Sequence, residues 1–149
     1  MARVVIDTNV LVSALIKKGK SRKLLLKLLE EHTLILSNRL LAELADVLSR
    51  NKFSISNSQA EKYLSILARI AEIAPAHSIP KMISEDPDDD AVLSTALSGK
   101  ADYIVSGDKH LLKLASYEKI KIVSVNELHQ IITKKWAEKT SDPKGRAVS

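Results

Sequence analysis

At 149 residues, with 45% hydrophobic residues, the chain has the length and composition of one globular domain, able to bury roughly 70% of the surface its unfolded form exposes. The absence of cysteine excludes disulfides, thiolate zinc sites and thiol catalysis, and Lys17 and Lys18 interrupt the sequence before any signal-peptide or membrane-spanning run develops, so a cytoplasmic protein without a membrane segment is expected. The net charge of +5 belongs to one segment: without Lys17, Lys18, Lys20, Arg22, Lys23 and Lys27, 17 basic residues face 18 acidic ones.

Arg3-Val4-Val5-Ile6 reads as a strand buried on both faces of a parallel sheet, and it ends abruptly at Asp7. A carboxylate there is either a solvated turn acid or a group placed where open α/β sheets bind ligands. Thr8 or Asn9 can cap a short helix from about Val10 to Ile16, broken near Gly19. A second helix, Ser21 to Glu31, carries the stripe Leu24, Leu25, Leu28 and Leu29. Its basic start suits either a polyanion or plain solvent. Thr33 to Leu36 is a short strand, capped by Ser37 or Asn38 into a helix from Arg39 to Arg50. Leu40, Leu44 and Val47 share one face of that helix, with Leu41 and Leu48 alongside. Glu43 lies on the margin of the stripe, as a rim residue or a site residue.

Asn51 to Ser58 reads as a loop ending in a cap, and Gln59 to Ile73 as a helix with Tyr63, Ile66, Leu67 and Ile70 inward. Pro75 and Pro80 keep the next segment extended. The densest acidic run follows, Asp86-Pro87-Asp88-Asp89-Asp90. Asp86 suits an N-cap and Pro87 the first helical position, but four aspartates exceed what capping needs. The inward face is set by Val92, Leu93, Ala96 and Leu97. That register aims Asp89 along the buried stripe and leaves Asp90 at its edge and Asp88 on its other margin. An inward acid requires a cation or hydrogen bonds.

Ala101 to Val105 is a strand, followed at once by Ser106-Gly107-Asp108, again an acid just past a strand end. Lys109 to Ala115 is a short helix, Lys121 to Val123 a strand, and Val125 to about Lys139 a last helix. Residues 140–149 read as a disordered tail beyond a single domain over 1–139. Only one Phe, three Tyr and one Trp occur, too few for a base-stacking platform.

Strands alternating with helices predict a three-layer α/β/α domain with a central, mainly parallel sheet. Its strand C-termini and the following helix N-termini share one edge, where Asp7, Glu43, Asp89 and Asp108 can meet. Carboxylates so gathered need a cation, and all-oxygen ligation suits Mg²⁺ or Mn²⁺, pointing to phosphodiester hydrolysis by a metal-activated water.

Val5-Ile6-Asp7-Thr8-Asn9-Val10, Leu41-Ala42-Glu43-Leu44, Asp86-Pro87-Asp88-Asp89-Asp90 and Val105-Ser106-Gly107-Asp108 together resemble the PIN domain, in the branch of toxin–antitoxin toxins akin to VapC-type ribonucleases. The similarity runs over about residues 3 to 130. It implies an acidic metal-binding quartet of Asp7, Glu43, Asp89 and Asp108, oriented by Thr8, Asn9 and Ser106, with Asp90 in support. It implies a Mg²⁺- or Mn²⁺-dependent endoribonuclease, homodimeric and restrained by a small antitoxin protein. Lys17, Lys20, Arg22 and Lys23 are then expected to contact RNA phosphates. Many relatives carry a further Asp two positions after the last quartet acid, where this chain has His110. A non-catalytic RNA- or protein-binding module of the same fold is the alternative, and a nuclease acting on DNA or a phosphatase-like enzyme a third.

Overall fold

The computed structural model describes residues 1–50, 55–75 and 87–140, with side chains over 1–50, 55–75 and 89–134. Residues 51–54 of the expected Asn51–Ser58 loop, residues 76–86 with Asp86, and residues 141–149 of the expected tail lie outside the described residues.

Strand β1 (Arg3–Ile6) leads into α1 (Thr8–Ile16) and α2 (Lys20–Glu31), with Gly19 as the N-cap of α2. Strand β2 (Thr33–Leu36) follows, then α3 (Asn38–Leu48), α4 (Asn57–Ile70) and the short strand β3 (Glu72–Ile73). The second half runs α5 (Pro87–Ser98), β4 (Tyr103–Val105), α6 (Lys109–Leu114), β5 (Ser116–Tyr117), β6 (Ile120–Val123) and α7 (Val125–Thr140). The sheet order is β3-β2-β1-β4-β6-β5. Every pair is parallel except β5–β6. This is the expected α/β/α architecture. The connections run one way from β1 through β2 to β3 and then back across the sheet from β3 to β4.

The centre follows from the apolar run. Val4, Val5 and Ile6 are at most 1% exposed, because β1 is paired on both edges and covered on both faces. Leu24, Leu25 and Leu28 seat α2, and Leu40, Leu44 and Leu48 seat α3, a stripe rotated slightly from the expected Leu40–Leu44–Val47. No helix among the described residues is long and apolar enough to cross a membrane.

Two elements depart from the sequence reading. The helix expected to run to Ile73 stops at Ile70, and Glu72–Ile73 instead pairs with β2. Only Leu67 of its expected inward face is fully buried, and Ile70 is 50% exposed. The hairpin of β5 and β6 is the second departure. Its two-residue turn, Glu118–Lys119, takes positive φ at both positions, 50° and 73°. Asn-Gly normally marks such a turn, and nothing in Glu-Lys announces it.

At the N-terminal end of the sheet Arg3 joins three segments. Its amide donates to Asp102 Oδ2 at 2.9 Å, its Nη2 donates to the Gly99 carbonyl at 2.7 Å, and its guanidinium pairs with Glu72. Gly99 is there because nothing larger fits. A Cβ would stand 2.6 Å from Ile35 Cγ2 and 3.1 Å from the Thr95 carbonyl oxygen. Gly99→Ala is therefore expected to destabilise the protein by about 1–3 kcal/mol through overpacking. Urea unfolding checks this, and an unchanged midpoint would show that Ile35 yields freely.

Candidate active site at the switch point of the sheet

Strand order reverses about β1 and β4, the place where open α/β sheets leave a crevice beyond their strand C-termini. Asp7 stands in it. Its amide donates to the Val105 carbonyl at 2.9 Å, extending the ladder, while its own carbonyl accepts from Val10 and Leu11 to begin α1. Asp7, rather than Thr8 or Asn9, thus occupies the N-cap position, but its side chain makes no capping bond. Instead Ser106 Oγ donates to Asp7 Oδ2 at 2.8 Å, and the Asp108 amide donates to Ser106 Oγ at 3.0 Å. One fully buried hydroxyl links the two strand-end acids. Asp108 Oδ1 accepts from the His110 and Leu111 amides, at 2.7 and 3.3 Å, and so caps α6.

Burial raises the Asp7 pKa above the ordinary carboxyl range. The Ser106 bond and the nearby amides of Asn9 and Thr8 act against that rise, and the Asp108 charge adds to it. Thr8 is buried, with its hydroxyl lacking a hydrogen-bond partner among the described residues, while Asn9 is exposed.

Helices α3 and α5 carry the other expected acids. Ser37 caps α3, accepting from the Leu40 amide at 3.2 Å, and Thr95 Oγ1 on α5 lies 2.8 Å from the same Ser37 oxygen. This contact locks the two helices together at the end of β2. Thr95 is a positioning residue that sequence reasoning missed, since a threonine inside a helix carries no signal of its own. Glu43 is half-buried on α3. Asp89 and Asp90 are 5% and 8% exposed. The expected contrast between an inward Asp89 and a rim Asp90 is therefore corrected. Helix α5 lies against β1, β2 and β4 and also touches α3. The Asp88 side chain lies outside the described residues.

Among the described residues, no three His, Asp or Glu side chains stand close enough together to hold a metal ion. What the structure brings together is the pair Asp7 and Asp108. Two carboxylates fit a hydrated Mg²⁺, which keeps several waters and binds through one or two such groups plus substrate phosphate, better than an ion caged wholly by protein.

The basic segment divides in two. Arg22 donates Nε to the Ala14 carbonyl at 2.8 Å and Nη2 to that of Leu15, satisfying the last carbonyls of α1. Its guanidinium is committed to the fold. Lys17, Lys20 and Lys23 are exposed, and the first two line a cavity of about 470 Å³ whose wall includes Ser106.

Three comparisons place the chain. The PIN domain family model matches residues 3–110. "Uncharacterized protein MJ1680" of Methanocaldococcus jannaschii is 31% identical over 137 residues, covering 85% of this chain and 83% of the relative. A chain of VapBC2 from Rickettsia felis, crystallised bound to a DNA fragment from its promoter, superposes with a TM-score of 0.59 at 20% identity, over 82% of this chain and 98% of that one. This chain belongs to the PIN domain family.

Two outcomes follow from the site. Arg22→Gln is expected to lower stability by about 1–3 kcal/mol, by stripping the α1 carbonyls of charged donors, whereas Lys23→Gln leaves the midpoint unchanged. Denaturant melts of the two variants decide it. For Asp7, a native pKa raised above the unfolded value means that stability falls as pH rises through the interval between them. Without divalent ions, Asp7→Asn should then melt no lower than wild type at neutral pH, with the difference closing as pH falls toward about 4. A wild type clearly more stable than the variant at pH 7 in EDTA would contradict the assigned environment.

Proposed function

We propose that the protein is a metal-dependent endoribonuclease that hydrolyses RNA phosphodiester bonds with Mg²⁺ or Mn²⁺. In this reading it is the toxin of a toxin–antitoxin pair, a cytoplasmic homodimer restrained by a small antitoxin protein. The single observation that carries the reading is the Asp7–Ser106–Asp108 link at the switch point. Ser106 Oγ meets the Asp7 carboxylate on one side and the Asp108 amide on the other, and a half-buried carboxylate with a second acid nearby is costly without a cation. Membership of the PIN family and the likeness of fold to a chain of VapBC2 support the nuclease and antitoxin parts of the reading.

In this assignment Asp7 and Asp108 hold the ion, which when bound supplies charge neutralisation at the phosphate and a water of lowered pKa. Ser106 fixes the Asp7 carboxylate by donating to Oδ2, and its own orientation is set by the Asp108 amide. Glu43, Asp89 and Asp90, on α3 and α5, would accept hydrogen bonds from water around the ion and orient it. Thr8 and Asn9 complete the polar surround, and the exposed Lys17, Lys20 and Lys23 supply positive charge for the strand.

One observation favours a second reading. Because no three acids converge among the described residues, a non-catalytic RNA- or protein-binding module of the same fold is the competitor.

Incubating the purified protein with a mixed RNA pool in Mn²⁺ or in EDTA, then sequencing the new ends, separates the two. We expect cleavage in Mn²⁺ that EDTA abolishes and Asp7→Asn removes. Asp89→Asn and Asp90→Asn, equally buried, should each lower the rate by about tenfold or more. Full activity in EDTA, or an Asp7→Asn variant as active as wild type, would end the assignment. RNA binding without any cleavage would establish the module.

A further inference from the structure

The cavity beside Ser106 extends the proposed site beyond the acids. Lys17, Gly19 and Lys20 come from the junction of α1 and α2, Ser106 and Gly107 from the end of β4, and Asn126 from the start of α7. Among the described residues the lining holds two cations, several hydroxyls, and neither a carboxylate nor an aromatic ring. It adjoins two carboxylates yet contains none. That is the charge pattern of a place where an anion sits next to a cation-dependent centre.

The two glycines are an independent sign. Neither Gly19 nor Gly107 takes a positive φ, and a Cβ built on either meets nothing within 4 Å. Gly99, by contrast, is demanded by packing. Among the described residues nothing stands where a side chain at position 19 or 107 would begin, and both glycines border the cavity, so neither narrows it. Gly19 is also an N-cap, where Asn or Ser would serve the helix at least as well.

We propose that this cavity is a subsite for the nucleotide next to the scissile bond, gripping its phosphate with Lys17 and Lys20 and leaving its base unread. This rests on the reading of the protein as an RNA-cleaving enzyme and deepens it. A lining of lysines, hydroxyls and bare glycine backbone lets a sugar–phosphate chain approach closely. It offers no ring on which a base could stack, so the contact is with the backbone. Selection of a cleavage sequence then falls to other surfaces.

The test is binding of a fluorescein-labelled single-stranded oligouridylate to the full chain in EDTA, followed by anisotropy over a range of salt. For Lys17→Gln/Lys20→Gln the slope of log K against log salt should fall by roughly 0.7 for each phosphate that the variant no longer neutralises. The same factor of weakening should appear on a strand whose bases have been removed. Gly107→Leu should bind about tenfold more weakly, the order of one charge-assisted hydrogen bond, with an unchanged melting temperature. Gly19→Asn, which keeps a good cap, should weaken binding in the same way without loss of stability. An unchanged slope, or Gly107→Leu and Gly19→Asn proteins that fold and bind as wild type does, would overturn the proposal. So would a lysine effect that vanishes on the abasic strand, because the cavity would then be reading a base. None of these readouts needs cleavage, so a protein that binds as described but cuts nothing would refute the enzymatic reading and leave the subsite standing.

Discussion

A carboxylate at the end of the most buried strand is the feature around which the candidate site is arranged. Asp7 follows Val4, Val5 and Ile6 directly, and the chain cannot turn it away without breaking the ladder to Val105 or the first bonds of α1. The acid is thus held half-buried by backbone geometry. Burial raises the cost of its charge, and the neighbouring Asp108 adds to it. Ser106 and the amides that open α1 offset part of this cost. On the proposed reading, the remainder is what a bound cation would neutralise.

The elements around Asp7 are fixed by contacts that carry no chemistry themselves. Arg22 finishes α1, and the Ser37–Thr95 contact joins α3 to α5. Arg3 fastens the opposite end of the sheet by joining β3, the end of α5 and the start of β4. Each uses a polar side chain to satisfy backbone or hydroxyl groups that would otherwise be buried without partners. Rigidity of this kind is what the proposed site would need, because small displacements of α3 or α5 would move Glu43, Asp89 and Asp90 relative to Asp7.

The basic segment shows how one run of like charges can serve two ends. Its arginine turns inward, where a planar guanidinium can meet two carbonyls at once. The exposed lysines stay in water, and Lys17 and Lys20 face the cavity beside Ser106. A count of charges along the chain treats all of these residues alike. Their division depends on where α1 ends, and Arg22 lies within reach of that end.

Local signals were enough for the α/β alternation, the buried β1, the cap at Ser37 and the acids at strand ends. Each of these is written in short-range periodicity or in a cap residue beside an apolar run. The residues that point to the PIN family lie at those same boundaries. Tertiary structure alone decided the rest. Glu72–Ile73 became a strand because the edge of β2 was open to it, against the helical period of its own segment. The Glu118–Lys119 turn adopted positive φ because β5 and β6 pair across it. Asp90 is nearly as buried as Asp89, whereas a helical wheel assumes a single buried face; α5 as a whole meets both the sheet and α3. Arg22 left the solvent for the end of α1, and Ser106 came to join two acids that are 101 residues apart in the chain. These outcomes are set by pairings between distant segments, and such pairings leave no trace in the spacing of neighbouring residues.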